Sequence, residues 1–232
     1  MDGQGTKVVT ALHVEEIYEG TSVWEWHSED YGELWVDSHV QGNNADYLHN
    51  NTICIGPDGN LYLNNKQANQ ILVIKRTWNN EQHTGTIGEI LWKIGGNRSH
   101  SGWDAPTRIK TTTEQQWYES HDAVINSDGL MTMYDNKASG ASRILEFKVD
   151  TEGKQLTNFV SHTWNQYRGR YMGSVDKLGD GIYLVSWGSQ RNGNAANAGI
   201  YDFNSNKVLF EIRFDNTGSS AYRVYGIPKG QE

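Results

Sequence analysis

The sequence predicts an all-β protein, and three features of its pattern support that prediction. Apolar and polar residues alternate with a period of two along most of the chain, and no stripe with the helical period of about 3.6 residues stands out. Valine, isoleucine, tyrosine and tryptophan are enriched in the alternating runs, and glycine-containing turns separate them. The third feature is an internal repeat, which also indicates how the strands are grouped.

The repeat consists of three similar segments: "NNTICIGPDGNLYLNN", "HDAVINSDGLMTMYDN" and "MGSVDKLGDGIYLVSW". Each segment contains two alternating runs joined by an Asp-Gly turn, at Gly59, Gly129 or Gly181. Such a turn between alternating runs is typical of a β-hairpin, because the turn needs a positive φ that glycine adopts readily. Each segment is therefore predicted to form the inner hairpin of a larger unit.

A second pair of predicted strands follows each hairpin. The pairs are "QILVIKRT" with "GEILWKIGG", "RILEFKVD" with "LTNFVSHTW", and "AGIYDFN" with "KVLFEIRF". Repeating units of four strands predict a β-propeller built of four-stranded blades. A β-sandwich is disfavoured, because turn signals in a sandwich recur about every 8–12 residues, and the Asp-Gly turns of this repeat lie much farther apart.

The chain is long enough for one core, and a single propeller domain is predicted over residues 1–232. The pattern accounts for about four blades plus partial edges, near the lower limit for propellers. "KVVTALHVEEI" and "SVWEWHS" predict outer strands of a preceding blade, and "AYRVYGIP" predicts a lone strand entering a following one. Either the ring is small or the chain is part of a larger one.

Composition bears on the expected partners, on membrane insertion and on disulfides. The chain has 20 Lys and Arg against 28 Asp and Glu, a net charge of −8, and no basic run, so nucleic acid is not an expected partner. No apolar run approaches the roughly 20 residues of a membrane span, and "MDGQGTKVVT" lacks the pattern of a signal peptide. Cys54 is the single cysteine, which rules out a disulfide within the chain but does not decide the compartment.

Two histidines occupy equivalent positions in successive repeats, His49 in "LHNNTICIGPDG" and His121 in "SHDAVINSDG". The first strand of each propeller blade lines the central channel, so the two imidazoles are expected to converge there. They would be available as acid, base or nucleophile. A single histidine before a strand is more often a hydrogen-bonded loop residue, and it is the repetition that favours function. Since no HExxH or CxxC pattern accompanies them, no metal site is predicted.

Arg143 is the third candidate, because it opens the strand that follows the His121 hairpin. An arginine beside two histidines would form an anion site, since guanidinium offers a planar fork of donors to an oxyanion such as sulfate or phosphate. The alternative is an exposed arginine on a strand edge.

The segments "DYLHNNTICIGPDGNLYLNN", "GEILWKIGG", "HDAVINSDGLMTMYDN" and "SRILEFKVD", in this order, resemble the bacterial arylsulfate sulfotransferases. The resemblance covers about residues 15 to 225. Members of that family are PAPS-independent enzymes on a six-bladed propeller that move a sulfuryl group from a phenolic sulfate ester to a phenol. The resemblance implies no cofactor, a small-molecule donor and acceptor, and a periplasmic or extracellular location. It also implies that the family's N-terminal domain and early blades lie outside this chain, whose open strand edges would favour a homo-oligomer.

Residue by residue, His49 and His121 match the two histidines that flank the sulfuryl group in the family, and Arg143 matches the arginine that holds its oxygens. A histidine would take the sulfuryl group as a covalent intermediate in a ping-pong mechanism. The resemblance adds three candidate substrate-binding residues: Lys66 after the first hairpin, Asn136 after the second, and Arg223 near the end. For Arg223, closure of the ring is the favoured role.

One departure affects the chemistry. The family's nucleophilic histidine belongs after the "SR" strand, but no histidine follows His162, which is itself predicted to be a surface or packing residue. Asn197 stands where a histidine would be expected. Three hypotheses remain: an arylsulfate sulfotransferase, which is favoured; a catalytically silent propeller that binds a small anionic or aromatic ligand; and a structural or protein-binding propeller.

Overall fold

The computed structural model describes residues 11–40, 46–79, 82, 84–96, 105–165, 167–189, 197–214 and 220–226. Within these ranges the chain forms fifteen strands in four sheets, with one short α-helix and two short 3₁₀ helices. The prediction of an all-β protein is therefore confirmed. Among the same residues, no helix has the length and apolarity needed to span a membrane.

The first sheet consists of β1 (His13–Tyr18) and β2 (Thr21–His27), and the short helix α1 (Glu33–Asp37) follows it. The second sheet contains β3 (Asn50–Ile55), β4 (Leu61–Asn65), β5 (Gln70–Asn79), β6 (Thr84–Gly95) and β7 (Arg108–Ile109). The third contains β8 (His121–Ile125), β9 (Met131–Asp135), β10 (Arg143–Asp150) and β11 (Gln155–Thr163). The fourth contains β12 (Ser174–Gly179), β13 (Ile182–Ser186), β14 (Ala198–Asp202) and β15 (Lys207–Ile212).

In every sheet, strands that are consecutive in the chain are also neighbours in space. The exception to an antiparallel arrangement is β7, which pairs with β6 in parallel. All three predicted hairpins form, and the glycines of their turns have φ values of +77°, +77° and +68° at Gly59, Gly129 and Gly181. The local turn chemistry thus sets the strand pairs, and each four-strand run is an up-and-down meander.

The lone strand predicted for "AYRVYGIP" is wrong for the described residues 220–226. They contain one isolated bridge, between Gly188 and Ala221, and no strand. The reason lies in the hydrogen-bond partners. The Val224 N–H donates to Ser174 Oγ at 3.0 Å and the Gly226 N–H to an Asp176 carboxylate oxygen at 3.4 Å, so side chains replace a backbone ladder.

The described chain divides into two compact units. The first contains the described residues within 1–116, 124–129 and 149–157, and the second contains those within 117–123, 130–148 and 158–232. The single domain over residues 1–232 remains a prediction. The core of the first unit is Val14, Trp24, Trp26, Leu34, Tyr47, Leu48, Leu61, Leu63, Leu72 and Ile74. The core of the second is Tyr134, Ile144, Trp164, Val175, Tyr183, Val185, Trp187 and Tyr201.

A buried ionic cluster connects α1 to the second sheet in the first unit. Asp37 Oδ2 lies 3.2 Å from both Arg108 Nη2 and Lys93 Nζ. Arg108 Nη1 donates to Gln70 Oε1 at 2.8 Å, and the Gln70 amide donates to Asp37 at 3.3 Å. Breaking a buried pair leaves an unpaired charge, at a cost of about 3–5 kcal/mol. This cluster therefore fixes β7 at the edge of the sheet.

Aromatic contacts organise the core of the second unit. The Trp187 indole N–H donates to the Tyr201 hydroxyl at 2.9 Å, and the two rings meet edge to face with centroids 5.5 Å apart. Tyr134 on β9 donates its hydroxyl to the Trp187 carbonyl oxygen at 3.2 Å. Because β9 also packs against β12, its end is held rigidly where the candidate site begins.

The Asp-Gly turn of the first hairpin generates a stability prediction. A Cβ at Gly59 would meet no atom within 4 Å, so Gly59→Ala tests the positive φ alone. We expect it to lower the free energy of unfolding by about 1 kcal/mol, and Gly59→Asn to lower it less, because asparagine tolerates the left-handed region. Urea unfolding measures both.

The matched control is Gly88→Ala on β6, where φ is not positive and a new Cβ would meet only ordinary contacts with Lys75. We expect this change to be neutral or slightly stabilising, since alanine loses less backbone entropy on folding than glycine. Equal effects of alanine at Gly59 and Gly88 would contradict the role given to the turn.

Candidate functional site

The six predicted site residues are divided between the two units. His49 and Lys66 lie in the first. The second holds the other four: His121, Asn136, Arg143 and Arg223. In that unit, buried polar contacts connect these residues with two aspartates.

His121 is buried, with 3% of its surface exposed, and its ring orientation is fixed by two acceptors. Its Nδ1 lies 2.8 Å from Asn136 Oδ1 and 3.0 Å from the Glu119 carbonyl oxygen. The Asn136 amide nitrogen donates to the carbonyl oxygens of Gly169 and Met172, each at 2.9 Å, so the amide oxygen must face the ring. A neutral His121 therefore carries its proton on Nδ1 and its lone pair on Nε2, the atom suited to act as nucleophile or base.

Arg143 is paired with a buried carboxylate. Across β9 and β10 it stands opposite Asp135, and its Nε donates to Asp135 Oδ2 at 2.6 Å. Asp135 Oδ1 accepts the backbone N–H groups of Tyr118 and Lys137, each at 2.9 Å. Burial raises the pKa of Asp135, and the Arg143 charge and the N–H donors oppose this only in part. The guanidinium is thus a positioned donor whose charge is partly balanced.

A second carboxylate lies next to His121 in the chain. Asp122 Oδ1 is 3.1 Å from Arg223 Nε, and its Oδ2 accepts the Val175 N–H at 2.9 Å. Burial raises the pKa of Asp122, with the Arg223 charge acting in the opposite direction. Asp122 and Glu119 have positive φ values of +55° and +50°, which are uncommon outside glycine. This backbone conformation persists because the surrounding hydrogen bonds hold it.

An exposed aromatic ring borders His121, and a cation lies near that ring. The Tyr222 ring meets the His121 ring edge on, with centroids 6.1 Å apart, and is 47% exposed. The Arg223 guanidinium carbon lies 6.0 Å from the Tyr222 centroid and 5.9 Å from that of Tyr225. A flat apolar surface and a positive charge therefore lie side by side, which suits a ligand that is both aromatic and anionic.

In the first unit, His49 forms a pair with Asp46. It precedes β3 with a φ of +46°, and its Nδ1 lies 2.5 Å from Asp46 Oδ2. The pair borders a depression of about 200 Å³ that Ala11, Leu12 and residues 46–50 line. A carboxylate on Nδ1 fixes the orientation of the ring, so the pair has the geometry of an acid–base group.

Lys66 is buried at the start of the 3₁₀ helix Lys66–Ala68, and its backbone N–H donates to the His49 carbonyl oxygen at 3.3 Å. Its backbone thereby supports the turn that carries His49. Sequence reasoning missed Asp46, Asp122 and Asp135 as partners of the candidate residues. The one signal in the sequence was that an aspartate stands close to a candidate residue or at the end of a predicted strand.

The third repeat has a glycine at the position of His121, whereas the first repeat has Asn51 there and carries His49 two residues earlier, so the predicted equivalence of His49 and His121 is wrong by two residues. Gly173 directly precedes β12 and stands as far before the turn glycine Gly181 as His121 stands before Gly129. Its φ is +110°, and a Cβ there would overlap the Tyr134 ring. No side chain, and so no histidine equivalent to His121, fits this position without rearrangement.

Two further residues from the sequence analysis have structural contacts. Asn197 Oδ1 accepts the Phe214 N–H at 2.7 Å, which fixes the start of β14. His162 packs against Tyr183 and Phe203, with ring centroids 5.3 and 4.9 Å away, and burial lowers its pKa. The prediction that His162 is a surface or packing residue is confirmed.

No protein-family model and no curated protein matches the chain. Among solved structures, the chain is similar to Kuenenia stuttgartiensis hydrazine synthase, with 11% sequence identity and a TM-score of 0.39. The match covers 78% of this chain and 39% of that one, so the chain spans well under half of its length. A similarity this distant carries no argument about fold or function.

The Asp135–Arg143 pair generates a second stability prediction. Asp135→Asn leaves the Arg143 charge buried beside a neutral amide, and we expect a loss of about 3–5 kcal/mol in the free energy of unfolding. Adding Arg143→Met removes that unpaired charge and should restore part of the loss. Urea unfolding at neutral pH measures each variant.

Asp180→Asn is the control, because this aspartate lies exposed at the turn of the β12–β13 hairpin and should change stability by no more than about 0.5 kcal/mol. If Asp135→Asn were as mild as this control, the buried pair would not hold the site together.

Proposed function

We propose that the protein is a β-propeller that transfers a sulfuryl group from a phenolic sulfate ester to a phenol, in the manner of the arylsulfate sulfotransferases. The observation that carries the proposal is the fixed ring of buried His121. Asn136 and the Glu119 carbonyl hold its Nδ1 and leave the lone pair on Nε2. The Tyr222 ring meets the His121 ring edge on, and the Arg223 guanidinium lies near the rings of Tyr222 and Tyr225.

The sheet arrangement supports the propeller part of the proposal. Strands β3–β6, β8–β11 and β12–β15 each follow one another in chain order within a sheet, as the four strands of a blade do. Each run begins with a hairpin closed by an Asp-Gly turn. The repeat of the sequence is thus a repeat of four-stranded meanders.

In the proposed reaction, His121 Nε2 attacks the sulfur of the donor ester. The bond from sulfur to the phenolic oxygen breaks, and the phenoxide leaves with the electron pair and takes up a proton from water. The acceptor phenol then loses its proton to water and attacks the sulfur of the sulfo-histidine; the sulfur–nitrogen bond breaks, and its electron pair returns to Nε2 and restores the imidazole. Both steps balance without a cofactor.

Positively charged hydrogen-bond donors would stabilise the transition state. Sulfuryl transfer, like phosphoryl transfer, spreads charge over the equatorial oxygens, and fixed cations stabilise it. Arg143 and Arg223 are the proposed donors, and Asp135 and Asp122 position them. Tyr222 and Tyr225 would contact the aromatic ring of the donor or acceptor, and Asn136 acts as a positioning residue by fixing His121.

A catalytically silent protein that binds a small aromatic anion is the second candidate. The observation that favours it is Gly173, because the third repeat has no room for the additional histidine that the family uses as its nucleophile. Under this hypothesis the same arginines and tyrosines bind the ligand without turnover. Periplasmic or extracellular location and a homo-oligomeric state remain predictions from the resemblance.

Turnover distinguishes the two candidates. The protein is mixed with p-nitrophenyl sulfate and phenol at neutral pH, and release of p-nitrophenol is followed by absorbance. We expect release, a fall of at least about 100-fold in His121→Asn, and near-normal rates in the control His162→Asn. With the donor alone, intact mass spectrometry should show one added sulfuryl group on the wild type.

Absence of release, together with saturable binding of p-nitrophenyl sulfate that Arg223→Gln weakens, would favour the silent binder. Release that persists unchanged in a folded His121→Asn variant would overturn the role given to His121.

A further inference from the structure

The β1–β2 hairpin of the first unit brings together three side chains that commonly bind metals. His13 and His27 are directly opposite each other in the antiparallel register, and their ring centroids are 4.2 Å apart. Side chains of a directly opposed pair lie on the same face of a sheet. Glu29 follows in the 3₁₀ helix Ser28–Asp30, and one ligand atom from each of the three residues lies within 4.8 Å of the others.

The distances match those of a metal's first coordination sphere. Glu29 Oε1 lies 2.9 Å from His13 Nε2 and 3.3 Å from His27 Nδ1, so one carboxylate oxygen stands between two imidazole nitrogens. With metal–ligand bonds of about 2.0–2.2 Å, the ligand atoms of a tetrahedral site lie roughly 3.4 Å apart. Small side-chain rotations are therefore enough to place an ion between these atoms.

Glu25 supplies the outer contact that a metal-binding histidine commonly has. Its Oε2 lies 3.0 Å from His27 Nε2, the nitrogen that faces away from Glu29. When a carboxylate accepts the proton of one ring nitrogen, the lone pair of the neutral ring is on the other nitrogen. For His27 this is Nδ1, which faces Glu29.

We propose that His13, His27 and Glu29 bind a divalent transition-metal ion such as Zn²⁺, with Glu25 as the positioning residue for His27. Two imidazoles and a carboxylate favour this class of ion over Mg²⁺ and Ca²⁺, which prefer oxygen ligands. The side chains of His13, His27 and Glu29 are 58%, 32% and 45% exposed, so an ion can enter and keep water as a further ligand.

The site would have a structural consequence. A two-stranded sheet is marginal by itself, and β1 and β2 form such a sheet. An ion held by β1, β2 and the following 3₁₀ helix would cross-link all three. It would stabilise the folded state, because it binds the folded chain and not the unfolded one.

The test uses the untagged chain after treatment with a chelator. Titration calorimetry with ZnCl₂ at neutral pH should give one equivalent bound, and Co²⁺ should give the visible absorption of a tetrahedral or five-coordinate ion. We expect His13→Ala and Glu29→Gln each to weaken Zn²⁺ binding at least about 10-fold, and Glu25→Gln to weaken it by about 10-fold.

His39→Ala is the control, since His39 is an exposed histidine of the same unit outside the hairpin, and it should keep the wild-type affinity. Thermal unfolding of the metal-free variants checks that each is folded. The proposal is overturned if the wild type shows no heat with Zn²⁺ and no Co²⁺ absorption. Wild-type affinity in a folded His13→Ala, His27→Ala double variant would overturn it equally.

Discussion

The arrangement of the second unit depends on two consecutive buried side chains at the end of β9, Asp135 and Asn136. Asp135 accepts from Arg143 and from two backbone N–H groups, and Asn136 connects His121 to two backbone carbonyls. A buried polar group without a partner costs about 1–3 kcal/mol, so each of these contacts restricts the conformations that its residues can adopt. Together they fix the start of β8, the start of β10 and the loop at residues 169–172. The tautomer of His121 follows from this one polar junction.

The same junction gives the candidate site donors that are fixed in direction and partly balanced in charge. Arg143 and Arg223 each face a buried aspartate, so the site offers aimed donors without a large excess of positive charge. An anion bound there would be recognised by the direction of the N–H groups, as in sites that stabilise the transition state of group transfer. The neighbouring tyrosines add apolar area, so the proposed aromatic ester would gain contacts there that inorganic sulfate lacks.

Local patterns in the sequence predicted the hairpins well, because an Asp-Gly turn sets φ within a few residues of itself. They also placed His121 and Arg143 at the starts of strands. The partners Asp122 and Asp135 could not be predicted, since their roles depend on cross-strand register and on burial. The pairing of His13 with His27 depends on register in the same way. The segment near Tyr222 alternates like a strand, but its backbone N–H groups donate to the side chains of Ser174 and Asp176. The alternation of apolar and polar residues does not predict such contacts.

The polar junction holds His121 with its proton on Nδ1. The direct measurement is ¹⁵N NMR of the imidazole in histidine-labelled protein at a pH where the ring is neutral, with assignment through loss of the signal in His121→Asn. We predict a protonated Nδ1 and an unprotonated Nε2, and a mixture of tautomers in Asn136→Ala. A wild-type ring protonated on Nε2, with its lone pair on Nδ1, would contradict the role of Asn136 and the Glu119 carbonyl in fixing the tautomer.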